Sequence, residues 1–461
     1  MKKELRSESE RKNVSFELNE KYVEILKQMI DCKTVFTRDF VNQPEYDRFY
    51  DVIEKSFPTL ASKSKRLTFG SGCFVYVIEG KNAKKNVMLM SHHDVVDGDD
   101  TWDTDPFHSV IKEDSLYGRG TIDTKTPLFA ILMACEELLK EKDAFEGMNL
   151  YIGSSNNEEV CGDGIVLAVE YFKKNGIHFD TVLDEGGAIT QGMLPGVQGK
   201  SAFVAVHEKS RHMFSCKTYQ KTKGHGGLVP NKESVIQRMT QFMDEVNHAQ
   251  IYKGTFYPEV KATFTTHAPY MSFPMNVLFG NFDLFAPLIK KIMMKNPTTS
   301  AMLSTSISFT TLFAGTKEDP QIKAKEAEAT MFLRCIREED LYSGLEKIKE
   351  IGKKYGVEIT EMYRDYCKPS SFSSSSYKIL EEVMNEDFPD VIVSPYLLTA
   401  GTDARRFSDI ADNILRFAPI DLDKAQYASI HSANEHIKIK NIGECVCFYK
   451  DFINRMEGDL K

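Results

Sequence analysis

Between Asn86 and Gly187 short apolar strands alternate with apolar or amphipathic helices, and this alternation constrains the fold more than anything else in the 461-residue chain. NVMLM (Asn86 to Met90) reads as a strand, and Pro127 opens an apolar helix to about Lys140. Asn149 to Ser154 is the next strand, a second helix runs from about Gly164 to Lys174, and TVLD (Thr181 to Asp184) ends a third strand. Strands separated by helices pair in parallel, because a tight hairpin can only reverse the chain, and a parallel sheet must be covered on both faces. The expectation is an α/β fold with a mainly parallel sheet and helices on both faces. Its functional groups should gather beyond the carboxyl ends of the strands.

From about Glu208 the pattern changes to polar strands, a Gly-rich turn (KGHGG, Lys223 to Gly227) and a long helix starting near Lys232. An apolar stretch from Ser272 to Met294 and an alternating segment from Glu328 to Ile336, read as a half-buried strand, follow. The Ser/Pro-biased run CKPSSFSSSS (Cys367 to Ser376) then leads into a helix over Tyr377 to Asn385. The pattern implies a discontinuous α/β domain, residues 1–207 and 363–461, interrupted by an inserted α+β domain over 208–362.

Charge narrows the function. Against 67 acidic side chains stand 58 basic ones, a net charge of −9, so no basic field gathers phosphates and no nucleic acid is expected as partner. No apolar run reaches the ~20 residues needed to span a bilayer, so no membrane partner is expected either. Nine cysteines without paired spacing fit a reducing compartment, and the charged start, Met1 to Asn13, carries no secretion signal. The expected location is the cytoplasm.

The strand ends carry the chemistry. SHHDVV (Ser91 to Val96) follows the first strand; if the strand continued, His92 and Asp94 would share one face and His93 the other. Asp123 sits in the turn of GRGTIDTK, Asn157-Glu158-Glu159 follows the second strand, Asp184-Glu185-Gly186-Gly187 the third, and His431 lies in IHSANEHI. Each alone is ordinary loop polarity. Together they bring several carboxylates to one sheet edge, where they repel one another unless cations neutralise them. Two imidazoles with three carboxylates suit zinc, with cobalt or manganese as substitutes. Adjacent glutamates facing opposite ways can divide the labour, one binding metal and one moving a proton.

These elements, with LYGRGTIDTK, NNEEVCGDG, VLDEGG, KGHGG and TAGTDARRF (Thr399 to Phe407), resemble the dizinc exopeptidases that include carboxypeptidase S, aminoacylase and glutamate carboxypeptidase. The long stretch from Ser272 to Ile322 is similar to the enlarged insertion of the carboxypeptidase S-like branch. The resemblance implies two zinc ions on His92, Asp123, Glu159 and His431, with Asp123 bridging, and a fifth ligand within Asp184-Glu185, Glu185 preferred. It further implies Glu158 as general base, Asp94 behind His92, His225 as the donor that polarises the scissile carbonyl, and Arg334 as a partner for a substrate carboxylate. The implied activity is hydrolysis of short peptides, or of N-acyl amino acids as in aminoacylase, with residues 1–207 and 363–461 as the catalytic domain and 208–362 as a lid or as the contact surface of a homodimer. A catalytically silent metal-binding or assembly protein is the third reading, and it predicts loss of Glu158 or a ligand, none of which is lost.

Two further motifs mislead. His207-Glu208 with His212 mimics H-E-x-x-H, but its spacing is five rather than four, which rotates the second imidazole off the first one's helical face. Gly199-Lys200-Ser201 lacks the first glycine of a phosphate-binding loop.

Overall fold

The computed structural model of the protein describes residues 5–220, 234–315 and 323–458. Three strands expected from the sequence, Lys81–Met90, Glu146–Ser154 and Phe179–Asp184, lie side by side and parallel, with Ala411–Arg416 parallel to the last of them. They form the middle of a 10-stranded sheet that continues through Lys200–Glu208, itself parallel to Val391–Leu398. At one edge Lys65–Phe69 and Cys73–Ile78 are antiparallel, as their short link requires; Gly70 in that link has φ +55°, a left-handed turn that suits glycine. The sheet is therefore mixed, with the parallel pairs at its centre.

Helices cover both faces. Lys125–Glu141 is buried along nearly its whole length, because the sheet lies on one side of it and Phe16–Ile30 and Ile439–Gly458 on the other. Gly164–Lys174 packs the opposite face through Ile165, Val169 and Phe172. At the start of the buried helix the Lys125 ammonium donates to the Met29 and Cys32 carbonyls at 3.0 and 2.7 Å. Burial lowers this lysine to about 8, and the two carbonyls tie the first helix to the turn that carries Asp123.

A second, four-stranded antiparallel sheet is built from Ser306–Ala314, Glu326–Cys335, Ser210–Tyr219 and Glu358–Asp365. Along Glu326–Cys335 exposed or half-buried residues alternate with buried ones, and the buried set packs against helices Val235–His248 and Glu338–Tyr355. The apolar stretch from Ser272 to Met294 resolves into two helices, Met275–Gly280 and Phe282–Met293. These do not join the core of the four-stranded sheet; their buried side chains cluster with Phe203 and Leu397 of the large sheet.

Candidate metal centre

The strand Lys81–Met90 stops two residues before His92, so strict alternation does not extend to Asp94. The two residues meet by hydrogen bonding instead. His92 Nδ1 donates to the Asp94 main-chain carbonyl at 2.9 Å, with the Asp94 carboxylate 3.4 Å away. That bond fixes the ring and leaves Nε2 facing Asp123 Oδ1 at 3.0 Å, the orientation a metal-binding imidazole needs. The Asp94 carboxylate, fully buried, accepts the backbone amides of Glu158 and Glu159 at 3.1 and 3.0 Å. It thereby ties the loop carrying both glutamates to the strand end carrying His92. His93 points the other way and stacks on Phe49 at 5.0 Å, hydrogen-bonded to Ser154.

Asp123 is the meeting point. Its Oδ1 faces His92 and its Oδ2 lies 3.1 Å from His431 Nε2, which is also 3.1 Å from Glu159 Oε1. Each oxygen of one carboxylate thus faces a different imidazole, as a carboxylate shared between two cations would. Ligand atoms of His92, Asp123 and Glu159 all lie within 4.8 Å of one another. Burial works to raise Asp123, yet His431 and His92 hold it well below the usual carboxylate range. Asp123 and Glu159 hold His431 up at about 10. Burial lowers His92, but Asp123 and Asp94 more than reverse this and hold it well above its ordinary value.

The remaining pair diverges where the strand ends, at Asp184. Asp184 turns back into the protein, accepting the amides of Glu185 and Ala404 at 2.9 Å each, and burial raises it to about 6. Glu185 instead lines a cavity of about 280 Å³ together with His92, Asp123, Glu158, Glu159 and His431. Burial raises Glu158 and Glu185 well above the usual range, with Asp403 adding to the first and Asp184 to the second. Among the described residues no lysine or arginine lines the cavity, so four carboxylates face two imidazoles without other cationic help. This donor set fits divalent metal ions.

The cavity is also lined by apolar side chains, Leu398, Ala418, Ile420, Leu422 and Ile430, and by Tyr427. At Gly401, which lines it too, two guanidiniums come close. Arg405 Nη1 and Arg334 Nη2 lie 2.6 and 3.3 Å from where a side chain on Gly401 would begin. Arg334 Nε finds no hydrogen-bond partner among the described residues. Burial, with Arg211 adding repulsion, lowers Arg334. His225 lies outside the described residues.

One contributor escaped sequence reasoning. Glu435, fully buried, accepts the amides of Gly120, Ile122 and Asp123 at 3.2, 2.7 and 3.0 Å and pairs with Arg119 at 2.7 Å. It grips the turn that presents Asp123. The available signal was its place four residues after His431 in IHSANEHI.

A largely parallel sheet whose strand ends surround one cavity with carboxylates and imidazoles is the frame of a metal-dependent hydrolase. The chain belongs to peptidase family M20/M25/M40, whose family model matches residues 88–455. It is 27% identical over 447 residues to the mouse (Mus musculus) N-fatty-acyl-amino acid synthase/hydrolase PM20D1, covering 94% of this chain and 87% of that protein. To the probable carboxypeptidase S-like 2 of Dictyostelium discoideum it is 28% identical over 427 residues, covering 91% and 81%. The M20 family metallo-carboxypeptidase Sso-CP2 from Sulfolobus solfataricus shares the fold with a TM-score of 0.66 at 20% identity, over 94% of this chain and 98% of that one. The protein is an enzyme of this metallopeptidase and amidohydrolase group.

Proposed function

We propose that the protein hydrolyses the amide bond of amino acids carrying an apolar acyl group on nitrogen, either dipeptides with an apolar first residue or N-acyl amino acids. The observation that carries this reading is the mixed lining of one cavity, in which carboxylates and imidazoles share the space with Leu398, Ile420, Leu422 and Ile430. Its volume of about 280 Å³ is just below the ~300–1,000 Å³ of ligand pockets and suits a compact substrate better than a long peptide. The mouse relative is named for N-fatty-acyl-amino acids and the Dictyostelium relative as a probable carboxypeptidase, which supports acyl amino acids and peptides as the two classes to test.

In this reading His92, Asp123, Glu159, Glu185 and His431 would hold two divalent cations, zinc preferred. Such ions lower the pKa of a water towards ~7 and polarise an amide carbonyl. Glu158 takes the proton of the attacking water; the oxygen bonds to the carbonyl carbon, the C–N bond breaks, and Glu158 passes the proton to the leaving nitrogen. Glu185 rather than Asp184 is the ligand, because Asp184 spends its oxygens on backbone amides. Arg334 takes the free carboxylate of the amino acid, a guanidinium being suited to two-pronged pairing. His225 donates to the developing oxyanion.

Metal-reconstituted protein should release free amino acid from N-acyl amino acids and apolar dipeptides in a panel that varies acyl length. Glu158→Gln should lower kcat by about 10²–10⁴ and leave metal content unchanged. Equal turnover by wild type and variant overturns the mechanism.

A further inference from the structure

We propose that the helical segment Met275–Met293 is a docking face for an anionic lipid surface. On helix Phe282–Met293 the buried side chains Phe282, Ile289 and Met293 face the cluster around Phe203 and Leu397. The outward side of the same helix is apolar too. Leu284, Leu288 and Ile292 recur every four residues and are 75%, 48% and 45% exposed, one continuous ridge by helical geometry. Phe273 and Val277, just upstream, add 80% and 44% exposure. Outward faces of surface helices are ordinarily polar, and clustered exposed apolar side chains mark an interaction site.

Charge selects the occupant. From Met271 to Asn296 the sequence holds three lysines and one aspartate, in a chain whose net charge is −9. The aspartate, Asp283, is occupied by Lys261 at 2.6 Å. Lys291 follows Leu284 by seven residues, which returns it to the side of the ridge, and Lys295 lies two residues beyond the end of the helix. No ion pair holds either of them among the described residues. An apolar ridge flanked by unpaired lysines matches an interfacial helix, which sinks its ridge to the headgroup boundary while its cations meet anionic lipid. A second copy of the chain fits worse, since it would bring lysines against lysines at an interface whose core disfavours them.

This binding needs no membrane-crossing element, and no described helix is long and apolar enough to cross a bilayer. The absence of a spanning run in the sequence therefore does not bear on it. The buried side of the segment belongs to the same apolar cluster as Leu397, the neighbour of the cavity residue Leu398. The inference stands independently of which amide is cleaved.

The test is co-sedimentation of the full chain with phosphatidylcholine vesicles made with or without phosphatidylserine. Wild type should bind the anionic vesicles, release them as salt rises, and ignore the neutral ones. Leu284→Ser with Leu288→Ser, and separately Lys291→Glu with Lys295→Glu, should each weaken binding about tenfold or more, with unchanged melting temperature showing intact folding. No binding by wild type, or binding that both variants keep, overturns the proposal. So does a dimer in sedimentation velocity that the leucine variant dissolves, which would make the ridge a self-association surface.

Discussion

Two buried charge clusters lie close together in this protein and solve opposite problems. Around Glu208 and Asp365, four guanidiniums serve two carboxylates. Arg416 and Arg405 pair with Glu208 at 2.7 and 3.4 Å, and Arg405, Arg406 and Arg211 pair with Asp365 at 2.5, 3.1 and 3.5 Å. Thr402 adds its amide and hydroxyl to Glu208. At the cavity, by contrast, four carboxylates gather with two imidazoles and, among the described residues, no guanidinium or ammonium lines it. In the first cluster every carboxylate meets guanidiniums of the chain itself; in the second the surplus of carboxylates calls for cations from outside. Acidity at a strand end is thus informative when the fold withholds the partners it supplies a few residues away.

That contrast can be broken from either side. The largest expected effect is on the self-contained cluster: Glu208→Gln strands Arg416 in the interior and should cost about 3–5 kcal/mol in urea unfolding, with metal uptake unchanged. A loss below ~1 kcal/mol would show that the arginines find other partners. At the cavity, divalent metal at a hundred times its Kd should add about 2.7 kcal/mol of stability, read as a chelator-reversible rise in melting temperature. Asp123→Ala should abolish that increment. Glu435→Gln puts an amide donor against three backbone donors and should weaken metal binding about 10- to 100-fold, measured by competition with a chromogenic chelator. Unchanged affinity would remove Glu435 from the machinery.

The smallest effect sharpens the rule away from the site. Burial, with Asp451 adding repulsion, raises Asp387 to about 7 against an ordinary 3.8. A carboxyl raised on folding favours the folded state while protonated, so its contribution is greatest below pH ~4 and is lost as pH climbs to ~7. Asp387→Asn should therefore gain stability over wild type at pH 8 and none at pH 4, checked by denaturant unfolding at both values. An equal gain at both would locate the effect in packing rather than charge.

Much of this was legible in the sequence, for a physical reason. Alternating periods of apolar residues announce strands and helices locally, so Lys81–Met90, Gly164–Lys174 and Phe179–Asp184 fall where the pattern puts them. His92, Asp123, Glu159 and His431 converge because strand ends and the turns beyond them converge in such a sheet. What depends on distant contacts was not legible. Glu435 bonds the Asp123 amide across 312 residues of chain, and only its place four residues after His431 hints at it. The run from Ser272 to Met294 is apolar nearly throughout, so period alone could not reveal that its helices settle on the large sheet with one ridge outside. His207, set aside for its spacing, lies on the strand Lys200–Glu208 between Glu259 and Arg337, where no helical pairing with His212 could form.

The grip of Glu435 on the Asp123 turn also carries a lesson about timing. A polypeptide emerging from the ribosome displays His92, Asp123 and Glu159 long before the stretch with His431 and Glu435 appears, and until then the shared carboxylate has neither its second imidazole nor its clamp. Unfinished chains therefore lack both the carboxylate that grips the Asp123 turn and the imidazole that faces Asp123 Oδ2.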